Sequence, residues 1–272
     1  MTEPDGYLHG TSPVEQDRLS TLNRLMNEAA LRELGLRGGE RIVDFGCGLG
    51  QLARAMARAA GTRVLGVERS AAQLATAARQ AAAAGETALV ELRQGDVTAP
   101  PLEGREWGTF DVAHARFVLE HVSDPLAVVS QMVRSVRPGG RVVLQDDDHD
   151  VLRCYPEPPG FSQLWRAYER TYDRLGCDPY VGRRLATLLH QAGAKPLRTS
   201  FLFFGACSGE PGFRPLVENM VGLLFGARDP IVQGGLLEPE QFDRSLDALR
   251  LWAGRPDAAL WYAIFWAEGI RP

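Results

Sequence analysis

A chain of 272 residues, 45% hydrophobic and 24% charged, has the balance of an ordinary globular protein of one or two domains. Its formal net charge of -4 leaves no basic footprint for nucleic acid, and no run of eighteen apolar residues offers a membrane span. Cys47, Cys154, Cys177 and Cys207 are scattered without a CxxC pair, and "MTEPDGYLHG" carries no signal-peptide core, so the expected setting is a reducing cytoplasm. Lys195 is the only lysine among many arginines and alanines, a bias that suggests a GC-rich bacterial genome.

Residues 12–34 read as an amphipathic helix, with Ser12 as N-cap, Pro13 at the first position and Glu15 closing a capping box. Arg41–Phe45 reads as a strand and Gln51–Ala60 as a helix stopped by Gly61. Arg63–Val67 is the next strand. Ser70 and Gln73 open an alanine-rich helix that Gly85 ends. Thr87–Arg93 and Phe110–Ala115 follow as strands, Asp124-Pro125 starts a helix, and Arg141–Gln145 is a fifth strand beyond "RPGG". Strands and helices alternating with short turns predict a parallel sheet with helices on both faces. Beyond residue 150 the rhythm changes. "FSQLWRAYERTY" and "DPYVGRRLATLLHQAG" read as helices, Leu197–Cys207 and Ala258–Ala267 as long strands, with helices near 213–227 and 239–252 between them.

The stretch "VDFGCGLG", Val43 to Gly50, places three glycines in five positions between a strand and a helix. Such a turn lets backbone approach a ligand closely. A dinucleotide site usually reads GxGxxG; here the spacing is GxGxG, with Asp44 two residues before the first glycine. At these residues the chain resembles the class I S-adenosylmethionine-dependent methyltransferases. Four further stretches fall in that family's order: Glu68 at the end of the second strand, "RQGDVT" after the third, "FDVAHARFVLEHVSDP" and "RPGGRVVL". "GYLHGTSPVEQDRL" is similar to the N-terminal segment of small-molecule methyltransferases of the ubiquinone/menaquinone-biosynthesis-like type.

The resemblance implies a Rossmann-like, doubly wound, seven-stranded, mainly parallel α/β sheet with helical lid insertions. It divides the chain into an N-terminal lid segment and helix (1–34), a cofactor-binding core (35–150) and the remaining strands with substrate-lid insertions (151–272). It implies S-adenosylmethionine as cofactor, held by Asp44, Gly46, Cys47, Gly48, Gly50, Glu68, Arg69, Asp96, Val97, Ala115 and Arg116. Glu68 would accept from the ribose hydroxyls, Asp96 would meet the adenine amino group, and Tyr7 of the N-terminal segment would close over the methyl. The expected activity is methyl transfer to nitrogen, oxygen or carbon of a small organic molecule, in bacterial secondary metabolism. The rival on the same fold is a cofactor-binding cyclase or sensor. The partners expected are a small molecule and no nucleic acid or membrane; a homodimer stays open.

For the chemistry, the acidic turn "QDDDHD" after the fifth strand supplies His149 as the first candidate base, with Asp148 and Asp150 favouring its imidazolium. His121 is the second. Most of the turn's carboxylates are expected to face solvent. Phe117, His149 and Trp165 are candidate substrate contacts, among many lid aromatics. Some related enzymes bind a divalent ion through ExxEH after strand four; here Phe117 stands in the first position, so no metal is expected.

Overall fold

The computed structural model describes residue 23 and residues 26–272. Tyr7 and the proposed cap at Ser12 lie outside the described residues. Residues 26–34 form helix α1, whose Met26, Ala30 and Leu34 recur every fourth position and are buried. The large sheet takes β1 (Ile42–Phe45), β2 (Val64–Glu68), β3 (Val90–Gln94), β4 (Phe110–Arg116), β5 (Val136–Asp146), β7 (Lys195–Phe203) and β10 (Ala263–Ile270). Their order is β3-β2-β1-β4-β5-β10-β7. The first five run parallel, and β10 is antiparallel to both β5 and β7.

The central parallel strands are buried on both faces, as parallel sheets are, whereas the antiparallel edge strand β7 is mostly exposed. Alternate residues explain how. Val43 and Phe45 of β1 turn toward α4 (Pro125–Ser135) and α6 (Leu185–Gln191), while Ile42 turns toward α1 and α2 (Gln51–Ala60). Helix α3 (Ala71–Ala83) lies on the α2 face through Ala81. Its cap is as expected, with the Ser70 hydroxyl accepting from Gln73 N.

The second half builds a cap over the carboxyl ends of the strands. β6 (Arg153–Tyr155), β8 (Ala206–Cys207) and β9 (Ala259–Trp261) form a separate three-stranded sheet, order β6-β9-β8. It shares a core with α5 (Phe161–Glu169), α7 (Phe213–Gly226), α8 (Arg228–Gln233) and α9 (Pro239–Trp252). Four expectations need correction, the first being the single strand over 258–267, which is β9 and β10 in different sheets. Thr87–Leu89 is a 3-10 turn, and β3 starts only at Val90. The helix expected from Asp178 is a 3-10 turn at Val181–Arg184 followed by α6; Asp178 instead caps the turn by accepting from Tyr180 N at 3.0 Å. The strand expected over 197–207 is two strands in different sheets. It divides at Gly205, where a Cβ would stand 2.4 Å from the Leu260 carbonyl oxygen, so only glycine lets the chain cross there. No helix among the described residues is long and apolar enough to cross a membrane.

Candidate active site

The glycine turn sits where β1 hands over to α2. Gly46 and Gly48 both have left-handed backbone, at φ 71 and φ 53, which a side chain would strain. A Cβ on Gly46 would also lie 2.4 Å from Val118 Cγ2, so glycine lets the turn after β4 close against this one. Three of the turn's amides are spoken for by the neighbouring strand. Gly46 N and Cys47 N donate to the Val67 carbonyl at 2.8 and 2.9 Å, and Gly48 N donates to Glu68 Oε2 at 3.1 Å. Glu68 Oε1 accepts from Ser70 N at 2.8 Å. The Glu68 carboxylate therefore ties the glycine turn to the cap of α3 as well as facing the cavity. Burial raises its pKa, against the two amides.

Around this turn a cavity is lined by Asp44, Gly46, Cys47, Gly48, Glu68, Arg69, Asp96, Val97, Arg116 and Phe117. All of these were read from the sequence. Two expected residues are not there. Ala115 is buried in the core on the α4 side of the sheet, because strand alternation turns it away from Arg116. Gly50 is the N-cap of α2, and its Cβ position faces Ala77 rather than the cavity. The sequence reading missed Asn23, Leu52, Ser70, Gln73 and His114. Asp96 spends one oxygen on its own turn, where Oδ1 accepts from Thr98 N and Oγ1 at 2.7 and 2.6 Å; these bonds hold its pKa low.

The residues present suit S-adenosylmethionine. Arg116 is half-buried, and its Nη2 donates to Asn23 Oδ1 and, at 2.8 Å, to Asn27 Oδ1. Its Nη1 has no partner among the described residues. Burial lowers its pKa to about 10, against the pull of the nearby Asp44 carboxylate. A guanidinium with a free N–H beside a carboxylate, at the mouth of a glycine turn, suits the carboxylate and ammonium of an amino-acid moiety. Glu68, an acceptor-only group, suits a diol. Replacing Glu68 by alanine is expected to weaken S-adenosylhomocysteine by about tenfold or more and lower the melting temperature, since two backbone amides lose their acceptor. Glu68→Gln is expected to keep more of both. Calorimetric titration and a melt check this, and unchanged affinity in Glu68→Ala would remove the ribose assignment.

A second cavity of about 750 Å³, including its mouth, shares Phe117 and His121 with the first. Its walls are mostly apolar, among them Leu152, Phe204, Leu216, Met220, Leu223, Leu260 and Ile264. Phe117 is the only non-glycine at positive φ among the described residues, φ 55, a strained conformation held at the junction of the two cavities.

The polar end of this second cavity holds Glu120, Asp147, His149, Tyr172 and Tyr262. His149 Nε2 lies 3.0 Å from Glu120 Oε2, and the Tyr172 hydroxyl donates to the same oxygen at 3.1 Å. Burial pushes Glu120 up, but the imidazoles of His121 and His149 and the Tyr172 hydroxyl hold it below the usual carboxylate range. An ionised Glu120 can only accept, so neutral His149 carries its proton on Nε2 and the lone pair on Nδ1, which has no partner among the described residues. Trp165 and Tyr168 stack on the imidazole, each with centroids 5.4 Å away, and Trp165 Nε1 donates to the His149 carbonyl at 2.9 Å.

The acidic turn is not the solvated loop expected. Asp146 and Asp148 are buried and Asp147 half-buried; Asp150 is exposed. Asp146 Oδ2 accepts from Val118 N and Leu119 N at 3.1 and 2.8 Å, bracing the turn after β4. Asp148 and Asp150 pair with Arg183, so neither is the group that raises His149. Burial depresses the His149 imidazolium, and Glu120, Asp147 and Glu169 more than reverse it. His121 lies between the cavities, 3.4 Å from Glu120 Oε1. Of the lid aromatics, Trp165, Tyr168, Tyr172 and Phe204 line the second cavity, Phe161 and Phe213 are core, and Phe201, Phe203 and Phe225 are exposed.

With this geometry the comparisons with known proteins agree. The methyltransferase domain family matches residues 16–199. A ubiquinone biosynthesis O-methyltransferase of Ralstonia nicotianae is 41% identical over 104 residues, 38% of this chain and 42% of that protein. The chain spans about half the length, or less, of the first curated relatives it matches. Among solved structures, the [4+2]-cyclase SpnF superposes with a TM-score of 0.56 at 23% identity, covering 92% of this chain and 81% of that one. Geranyl diphosphate C-methyltransferase from Streptomyces coelicolor, solved with Mg2+, geranyl diphosphate and S-adenosyl-L-homocysteine, gives 0.57 at 18% identity, over 93% and 81%. At such identities the structures speak for the fold alone. By the matched domain, the sheet order and the glycine turn, this chain belongs to the methyltransferase domain family, of class I, with S-adenosylmethionine as its cofactor.

Proposed function

We propose that the protein transfers a methyl group to nitrogen, oxygen or carbon of a small organic molecule, in the cytoplasm of a bacterium and in secondary metabolism. The observation that carries this reading is the pair of cavities: a polar one that suits the cofactor and a mainly apolar one, joined at Phe117 and His121. When bound, the cofactor supplies an activated sulfonium methyl. The chain's task is then to hold the acceptor in line, exclude water and take a proton where the acceptor has one to lose. Positioning of this kind is worth roughly 7–11 kcal/mol. Asp44 and Arg116 hold the amino-acid end, Phe117 and His121 shape the junction, and the apolar wall excludes water. His149, with Glu120 fixing its tautomer, receives the acceptor's proton on Nδ1.

No Arg or Lys stands among the described residues lining the second cavity. This favours an acceptor without phosphate or carboxylate groups, since an anion there would meet Glu120 unpaired. Incubation with methyl-labelled S-adenosylmethionine and a panel of neutral phenols, alcohols, amines and enolisable carbonyls tests the function. Label in one product, matched by equimolar S-adenosylhomocysteine, is expected. An acceptor converted while the cofactor keeps its label would instead establish the cyclase reading.

The structure also brings together what the sequence did not foresee: Glu120, Asp147 and His149 each offer one ligand atom, all within 4.8 Å of one another. We keep the metal-free reading for this site. Glu120 is already satisfied by His149 and Tyr172. Burial, with the Glu120 carboxylate beside it, raises the Asp147 pKa, which disfavours a second bare carboxylate at this spot. Turnover is expected to be unchanged after dialysis against EDTA. Loss of turnover that a divalent ion restores would assign these three residues as ligands.

A further inference from the structure

Beneath the cofactor cavity lies a buried polar row of which the reaction as described uses only Asp44. On the α2 face of the sheet, Ile42, Val112 and Val143 fill the core, and two residues further along the same strands come Asp44, His114 and Gln145. All three are buried, His114 and Gln145 completely. Gln145 Nε2 lies 2.8 Å from His114 Nε2, and His114 Nδ1 lies 2.7 Å from Asp44 Oδ1. An amide nitrogen donates, so His114 Nε2 accepts, and the ring's proton sits on Nδ1 and is given to Asp44. The row has a direction: Gln145 fixes the tautomer, His114 donates, and Asp44 is held with one oxygen occupied. Asp44 and His114 both line the cavity, with Arg116 beside them.

Three polar side chains in a sheet core are costly unless they hold something in place. We propose that His114 and Gln145 are positioning residues that aim the second oxygen of Asp44 at the α-ammonium of the cofactor, while the free Nη1 of Arg116 takes its carboxylate. The row thereby selects ligands that carry an amino-acid moiety. It acts through Asp44 and touches neither the sulfonium nor the acceptor. The inference rests on the cofactor assignment above. It adds that the amino-acid end, rather than the nucleoside, is what this row reads.

The test compares two ligands that share the nucleoside and thioether but differ in the amino-acid end: S-adenosylhomocysteine and 5′-methylthioadenosine. Calorimetric titration of the wild type should show S-adenosylhomocysteine binding at least tenfold tighter. His114→Leu removes the donor and should weaken S-adenosylhomocysteine by about tenfold to a hundredfold, the range for a bond to a charged group. It should leave 5′-methylthioadenosine within twofold. His114→Asn places an amide donor near the position of Nδ1 and should recover most of the loss, whereas His114→Gln, with its donor displaced, should not. Gln145→Leu, which leaves the imidazole in place but frees its tautomer, should show a smaller loss confined to S-adenosylhomocysteine. Should His114→Leu fail to fold, the Asn and Gln variants and Gln145→Leu carry the comparison. Equal weakening of both ligands would make the row merely structural and overturn the proposal, as would unchanged affinity for both. A wild type that binds neither ligand overturns the cofactor reading itself. One that binds both alike leaves that reading standing and removes only the amino-acid selection.

Discussion

His149→Ala should lower turnover about a hundredfold or more while affinity for S-adenosylhomocysteine stays within a few-fold. The imidazole lines the second cavity and not the first, so the cofactor loses no contact. A lost general base costs typically ~10²–10⁴-fold, and a fall in kcat with cofactor binding intact marks a contact made in the transition state. The pH profile makes the assignment sharper. His149 must be neutral to accept a proton, and its pKa is raised in the fold: burial lowers it, and Glu120, with Asp147 and Glu169, outweighs burial. Turnover should therefore fall on the acid side with a midpoint above the ordinary imidazole value of about 6.5. Glu120→Gln removes the group that raises it and leaves burial acting, so the acid limb should move to lower pH. The plateau should drop by roughly 10²-fold, because a neutral amide no longer fixes the proton on Nε2. A His149→Ala enzyme that keeps most of its turnover at every pH would hand proton removal to water or to no base at all.

Gly48→Val should abolish measurable cofactor binding while the chain still folds. Position 48 has φ 53, a conformation that costs a residue with a side chain on the order of 1–3 kcal/mol, most for a β-branched one. A Cβ there also comes within 3.1 Å of Gln73 Oε1, another lining residue. Relief of that strain moves Gly48 N off Glu68, and with it the ribose acceptor. Circular dichroism and a titration with S-adenosylhomocysteine separate the two effects. A folded Gly48→Val chain with wild-type affinity would place the ligand elsewhere.

The fold was legible where local chemistry decides it. The glycine turn, the Ser70 cap of α3 and the Asp124 cap of α4 are short-range events, and each appears where the spacing puts it. The strand expected over 197–207 was less legible, because its division at Gly205 depends on the approach of the Leu260 carbonyl, 55 residues later in the chain. The same distinction holds at the site. The cofactor-facing residues of the turn and of the ends of β2 and β3 could be named from motifs. The Glu120–His149 pair could not, since its members are 29 positions apart and meet only because β4 and β5 are neighbours. Asp148 and Asp150 flank His149 in sequence, yet they turn to Arg183. His114 did leave a signal: in "FDVAHAR" it is a polar residue two positions after Val112, on the Asp44 face of a strand buried on both sides.

The account stands or falls most directly on what the glycine cavity binds. Titrating S-adenosylhomocysteine into the purified chain, with NAD as the parallel ligand, should give one site per chain for the first and no heat of binding for the second. The S-adenosylhomocysteine signal should vanish in Gly48→Val and persist in His149→Ala. Saturable binding of NAD with none of S-adenosylhomocysteine would contradict the account, because the turn would then serve a dinucleotide and both cavities would need another chemistry.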